Sequence, residues 1–169
     1  VSGAGDPPAG PARPAGPGDQ RPVLAVDIGG TKLAVGLVEF GGRIAAYDRT
    51  ETPNGPHLDP EVLWRTVEAL LDKLLADSGT PDIAGVGVGC GGPMTWPAAE
   101  VSPLNIPAWR GFPLRERLRR RCPGLPVRVH NDAVCVAVAE HWRGAGRGKD
   151  NVLGMVVSTG VGGGLILDG

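Results

Sequence analysis

The feature that most constrains this chain is how little separates its first two apolar runs. Val23-Leu24-Ala25-Val26-Asp27-Ile28 closes on Gly29-Gly30, and a second run from Leu33 to Phe40 follows at once. A short apolar run ended by glycines reads as a buried strand entering a tight turn. Gly41-Gly42 then divides the second run from a third segment, Arg43 to Thr50, and a glycine pair between two such runs signals a hairpin. The opening is a three-stranded antiparallel meander, which sets it apart from the strand-helix-strand start of a dinucleotide-binding fold.

Helical periodicity enters next. Asp59 is a cap with Pro60 at the first helical position, where its missing N–H costs nothing, and Leu63, Val67, Leu70, Leu71 and Leu74 recur on one face until Ser78-Gly79. Ile83 to Gly89 reads as a strand, 93–107 as an irregular loop, and Leu114 to Arg121 as a short basic helix. Val127 to His130 is a strand, Asn131 to Arg143 a helix, and Val152 to Ser158 a strand leading through a glycine-rich turn into Leu165-Ile166-Leu167. The order β-β-β-α-β-(α)-β-α-β-β predicts a mixed α/β fold with a partly parallel sheet flanked by helices. The chain stops at Gly169 inside the second arm of a hairpin, which implies a fragment.

Composition bounds the rest. Residues 1–22 hold 6 Pro, 5 Gly and 4 Ala, too little apolar side chain to bury, so this tail is expected to be disordered. Residues 23–169 form one lobe long enough for a core at the roughly 68–70% burial usual at this size. Lys and Arg total 17 against 18 acidic residues, so no global field favours nucleic acid. No run of apolar residues is long enough to span a membrane, and no basic-then-apolar leader opens the chain, so the expected location is cytoplasmic. Cys90, Cys122 and Cys135 are odd in number without C-x-x-C spacing and read as reduced thiols, with no zinc site in this chain.

Two segments carry chemistry in glycines and hydroxyls. Asp27-Ile28-Gly29-Gly30-Thr31-Lys32 offers backbone N–H groups for an anion, a hydroxyl donor, and a carboxylate able to hold a hydrated divalent cation. An ordinary hairpin turn chosen for its dihedrals uses the same residues. Ser158-Thr159-Gly160-Val161-Gly162-Gly163-Gly164 repeats the pattern far along the chain, again with a plain turn as the alternative. Gly87, Gly89 and Gly92 satisfy G-x-G-x-x-G, but Pro93 and Pro97 deny it the required helix, and 89–93 reads as a loop lining a pocket. Asn131-Asp132 sits between a strand and a helix. It serves as a cap in one reading, and in the other it places a carboxylate at the cleft to accept a hydroxyl proton. His57, His130 and His141 share no ligand spacing. Arg115 to Arg121 reads as a solvated helix face before a basic patch. Trp64 fits a helix core, whereas Trp96 and Trp109 lie in the loop and suit either packing or a sugar ring.

Together, Asp27-Ile28-Gly29-Gly30-Thr31-Lys32, Asn105-Ile106-Pro107-Ala108-Trp109, Asn131-Asp132-Ala133 and the segment from Ser158 to Gly164 resemble the ROK family of repressors, open reading frames and sugar kinases. The resemblance runs from about Val23 to Gly169. It implies an actin-like, ribonuclease H-like ATPase lobe, and ATP- and Mg²⁺-dependent phosphorylation of a hexose 6-hydroxyl, as in a glucokinase. By it, Asp27, Gly29, Gly30, Thr31 and Lys32 form one phosphate site, with Asp27 holding Mg²⁺ through water. Thr159, Gly160, Gly162 and Gly163 form the other. Asn105, Asn131, Asp132, Gly91 and Gly92 face the sugar, and Asp132 is the catalytic base. Many members have Ala-Pro-Gly-Pro where Cys90-Gly91-Gly92-Pro93 stands, and Asn-Asp-Ala-Asn where Asn131-Asp132-Ala133-Val134 stands. The first departure bears on sugar selectivity. The family's second half would bring further sugar contacts, a structural zinc and the adenine pocket, so this stretch alone is expected to be a poor catalyst and the complete protein a homodimer. Partners are then a small sugar and a nucleotide, with neither nucleic acid nor membrane. The alternatives are a kinase of an N-acetylated hexosamine, a noncatalytic sugar-sensing regulator, which the lack of a helix-turn-helix before residue 22 counts against, and a filament-forming actin-like protein.

Overall fold

The computed structural model describes residues 18–55, 57–157 and 160–169. Ten elements follow in the predicted order: β1 (Val23–Ile28), β2 (Lys32–Val38), β3 (Ile44–Glu51), α1 (Pro60–Asp77), β4 (Gly85–Cys90), α2 (Leu114–Arg121), β5 (Val127–Asn131), α3 (Asp132–Arg143), β6 (Val152–Val157) and β7 (Val161–Ile166). Five strands form one sheet in the order β3-β2-β1-β4-β5, and β6 and β7 pair as a separate hairpin. The β1–β2 and β2–β3 pairs are antiparallel, whereas β1–β4 and β4–β5 are parallel.

Alternation along each strand sorts the sheet into two unlike faces. Leu24, Val26 and Ile28 of β1, Leu33, Val35 and Leu37 of β2, Val86, Val88 and Cys90 of β4, and Val127 and Val129 of β5 are all buried in one core. Helix α1 adds Leu63, Trp64, Val67, Leu70, Leu71 and Leu74, and α2 adds Leu114 and Leu118. Helix α1 starts where expected because the Asp59 carboxylate accepts the Glu61 N–H at 2.9 Å with Pro60 behind it. The other face carries small residues in register: Ala25 opposite Gly36 and Gly87, and Asp27 opposite Ala34 and Gly89. Gly89 in turn pairs with His130.

Local details bear on several expectations, and one of them, the start of the last strand, is corrected. Of the tail expected to lack order, residues 1–17 lie outside the described residues. Pro22 accepts the Ala84 N–H at 2.9 Å, and Arg21 donates to Asp82 and to the Ile83 carbonyl just before β4. The last strand begins at Val161 rather than near Leu165, so Gly162, Gly163 and Gly164 lie in β7 and outside the turn. Side-chain periodicity cannot reveal a strand made largely of glycine. Helix α2 is a solvated face with three of its five arginines in ion pairs, Arg117 with Glu61, Arg120 with Glu116 and Arg121 with Asp72. Trp109 is fully buried, stacks on Phe112 at a centroid distance of 4.2 Å and donates its indole N–H to the Pro60 carbonyl at 3.2 Å. It is a core residue and offers no surface to a sugar.

Candidate functional site

A cavity of about 1620 Å³ opens on the small-residue face of the sheet. Asp27, Gly29, Gly30, Thr31 and Lys32 line it, as do Gly91, Gly92, Asn105, Asn131, Asp132, Gly160 and Gly162. Gly163 is not among the lining residues, and Thr159 lies outside the described residues. The strand ends make this convergence inevitable. β1, β4 and β5 are parallel, so the turn after β1, the loop after β4 and the start of α3 all emerge at one edge, where ligands bind in open α/β sheets.

The turn between β1 and β2 is closed by the Gly29 N–H donating to the Lys32 carbonyl at 3.0 Å. Neither Gly29 nor Gly30 has a positive φ, so the turn's dihedrals are not the reason for the glycines. Contact is the reason. A Cβ on Gly29 would stand 2.8 Å from the Lys32 carbonyl oxygen, and one on Gly30 would overlap the side-chain amide of Asn105. The candidate phosphate turn and the candidate sugar-binding asparagine therefore touch directly.

The loop carrying Asn105 is ordered despite its lack of regular structure. Val101 bridges Met94 on one side and Phe112 on the other. One nitrogen of the Arg110 guanidinium donates to the carbonyls of Pro103, Ile106 and Trp109 at 2.9, 2.9 and 2.6 Å. Gly91 lies below the amide, since a Cβ there would sit 3.6 Å from Asn105 Oδ1. Gly92 relates similarly to Asn131 Nδ2, at 3.5 Å. Both separations are ordinary contacts and neither glycine has a positive φ, so an alanine fits at either position.

Both readings of Asn131-Asp132 hold at once. Asn131 Oδ1 accepts the N–H groups of Ala133 and Val134 at 3.0 and 3.4 Å, capping α3 and leaving its Nδ2 toward Gly92. Asp132 Oδ1 accepts the Ala133 N–H at 2.8 Å. The cap fixes the carboxylate at the amino-terminal end of the helix, where the macrodipole presents its positive pole.

Gly89 separates the two acidic groups of the site. A Cβ on it would lie 3.6 Å from Asp132 Cα, 3.8 Å from Asp27 Oδ1 and 3.8 Å from Cys135 Sγ. Burial raises the Asp27 carboxyl above its ordinary range, and the charge of Asp132 adds to the rise. Asp27 keeps surface open to the cavity even though protein is dense around its carboxyl, so water in the cleft screens part of this effect. Burial, with the same two carboxylates, pushes the Cys90 thiol up to about 12 and raises Cys135 as well. Among the described residues no three His, Cys, Asp or Glu side chains come together as a metal cage. A hydrated Mg²⁺ fits this donor set, because that ion keeps several waters and takes one or two carboxylates plus substrate phosphates.

The second glycine segment is built differently. A Cβ on Gly162 would stand 2.8 Å from the Ala133 Cβ, and one on Gly164 would stand 2.8 Å from the Ala137 Cβ. Close packing of β7 against α3 accounts for those glycines. Gly160 has nothing within 4 Å of such a Cβ and is open to the cavity.

Sequence reasoning left three contributors unmarked. Thr52 and Asn54 join the β3–α1 connection to this site, and Arg110 ties down the Asn105 loop. A Thr-Pro-Asn run after a strand reads simply as loop, so only long-range contacts reveal it. Trp96 is 71% exposed and stands at the rim beside His130, with ring centroids 6.2 Å apart.

Comparison with known proteins adds the following. The ROK family model matches residues 23–169. The chain is 34% identical to a glucokinase of Halalkalibacterium halodurans over 86% of its own length and 44% of that protein's. It is 35% identical to an N-acetyl-D-glucosamine kinase of Vibrio parahaemolyticus, covering 85% of this chain and 45% of that one. A ROK family glucokinase from Streptomyces griseus, solved in complex with glucose and AMPPNP, superposes with a TM-score of 0.70 at 36% identity, over 87% of this chain and 45% of that chain. The chain thus spans less than half the length of these relatives. The mixed sheet flanked by helices is that of the actin-like ATPase fold these neighbours share.

Proposed function

This chain belongs to the ROK family, and from that membership and the geometry of the cavity we propose that it is the amino-terminal part of an ATP-dependent kinase acting on the 6-hydroxyl of a hexose or N-acetylhexosamine. Glucose is the first substrate to test. One observation carries the reading: the turn at Gly29–Thr31, the Asn105 amide and the Asp132 carboxylate line a single cavity, with Asn105 resting on Gly30.

In this reading the N–H groups of Gly30 and Thr31 and the Thr31 hydroxyl bind the terminal phosphates, the Gly29 N–H being engaged within the turn, and Gly160 faces them from the hairpin. Asn105 and the free Nδ2 of Asn131 hydrogen-bond the sugar. The cap on α3 holds Asp132 so that its second oxygen accepts the proton of the attacking hydroxyl. Phosphoryl transfer has a loose transition state, so orientation counts as much as basicity. Mg²⁺ bound near Asp27 would supply charge neutralisation for the phosphates. The three free thiols suit a reducing cytoplasm.

The test is an assay of the complete protein with glucose, mannose, N-acetylglucosamine and N-acetylmannosamine, using ATP and polyphosphate as donors. Phosphorylation of at least one sugar is expected, and Asp132→Ala should lower turnover by about 10²–10⁴. Sugar affinity without phosphorylation would favour a sensor instead. Full activity in the Asp132 variant would move the base elsewhere.

A further inference from the structure

Thr52 is the one buried polar side chain among the described residues, at 8% exposure. A buried hydroxyl is costly without partners, and this one has a specific partner. Its Oγ1 donates to the Gly29 carbonyl at 2.6 Å, and its backbone N–H donates to the Thr31 carbonyl at 2.9 Å. Both acceptors belong to the turn assigned to the phosphates. Two residues on, Asn54 Nδ2 donates to the Asn105 backbone carbonyl at 3.1 Å, and Asn54 Oδ1 accepts the Gly55 N–H at 2.9 Å. Pro53, between them, fixes its own φ and has no N–H to divert. The segment 52–54 is therefore a short strap with one end on the phosphate turn and the other on the sugar loop.

The placement has a mechanistic consequence. The Gly29 and Thr31 carbonyls are both held by Thr52, so that residue restrains their two peptide planes, one on either side of Gly30. Anchoring Asn105 by its backbone leaves its side-chain amide in place over Gly30 and Gly91. Thr52, Pro53 and Asn54 do not line the cavity, so any effect they have on it runs through the turn and the loop they hold.

We propose that Thr52 and Asn54 are positioning residues for phosphoryl transfer, holding the nucleotide turn and the sugar-binding loop at the separation the reaction needs. This rests on the kinase reading above. Thr52 governs the nucleotide end and Asn54 the sugar end, so their variants have distinct kinetic signatures.

The experiment is steady-state kinetics on the complete protein, with amide hydrogen exchange on the same samples. Thr52→Val keeps shape and loses the hydroxyl donor. It should lower kcat by roughly ten- to a hundredfold and raise the KM for ATP, with the sugar KM within about twofold of wild type. Thr52→Ser restores the donor and should recover kcat to within about threefold. Asn54→Ala should raise the sugar KM about three- to tenfold and leave the KM for ATP unchanged. Exchange should quicken across 29–32 in the Thr52→Val protein and across 104–107 in Asn54→Ala, with the β4 amides unaffected. A Thr52→Val protein with wild-type kcat, or a Thr52→Ser protein as impaired as Thr52→Val, overturns the proposal. If wild type phosphorylates no sugar, the kinase reading fails by itself. The strap is then judged by exchange, and unchanged protection at 29–32 and 104–107 removes it.

Discussion

The two glycine-rich segments look alike in sequence and are built for different reasons. At Gly29-Gly30 the missing side chains make room for the Lys32 carbonyl and the Asn105 amide, so the glycines bring two parts of the cavity wall into contact. At Gly162 and Gly164 they make room for Ala133 and Ala137, so that a hairpin can lie close on α3. Among the described residues of the second segment, only Gly160 stands open to the cavity with no neighbour claiming its space. A glycine is thus informative about function only once its neighbour is known.

Substitutions can break this contrast. Gly30→Ala should have the largest effect, because the new methyl displaces the Asn105 amide while the backbone accepts alanine without strain. We expect kcat/KM for the sugar to fall about a hundredfold with little change in thermal midpoint. Gly164→Ala should do the reverse. Overpacking against α3 costs about 1–3 kcal/mol, several degrees in Tm by calorimetry, while the folded enzyme keeps its sugar KM. Gly160→Ala should change stability by less than about 0.5 kcal/mol, and any effect should show in the KM for ATP alone. If Gly164→Ala spared stability and abolished turnover, the two segments would be equivalent after all.

A smaller effect sharpens the account of the acidic pair. The folded Asp27 carboxyl titrates above its unfolded value, so the native state binds the extra proton between the two. Its contribution to stability is complete below the unfolded pKa and is lost as pH rises through the folded one. Asp27→Asn should therefore be more stable than wild type near neutral pH, with the gap closing toward pH 4 in denaturant titrations at a series of pH values. A constant gap at every pH would mean that burial and Asp132 do not act on Asp27.

Much of the architecture was legible because its punctuation is local. The glycine pairs at 29–30 and 41–42 mark the meander, and Asp59-Pro60 marks the start of α1. Asn131-Asp132 was legible as a cap, which is also what fixes the carboxylate. Other parts depend on contacts between distant residues. β7 hides its strand in glycines whose cause is α3, and Trp109 looks like a loop residue until Phe112 and Pro60 enclose it. Thr52 has no signature of its own, because its partners lie in a turn before β2 and its burial exists only when β3 is paired. The resemblance named groups that line the cavity, Gly163 excepted and Thr159 outside the described residues, and folding physics identifies those that hold them there.

The central claim is that one cavity brings a phosphate donor to the Gly29–Thr31 turn and an acceptor hydroxyl to Asp132. A crystal structure of the complete protein with a sugar and a nonhydrolysable ATP analogue tests it most directly. The terminal phosphate should meet the backbone N–H groups of that turn, with the sugar hydroxyl about 2.6–3.2 Å from the Asp132 carboxylate. A sugar bound with no hydroxyl near Asp132, or a nucleotide whose phosphates leave the turn empty, would contradict it.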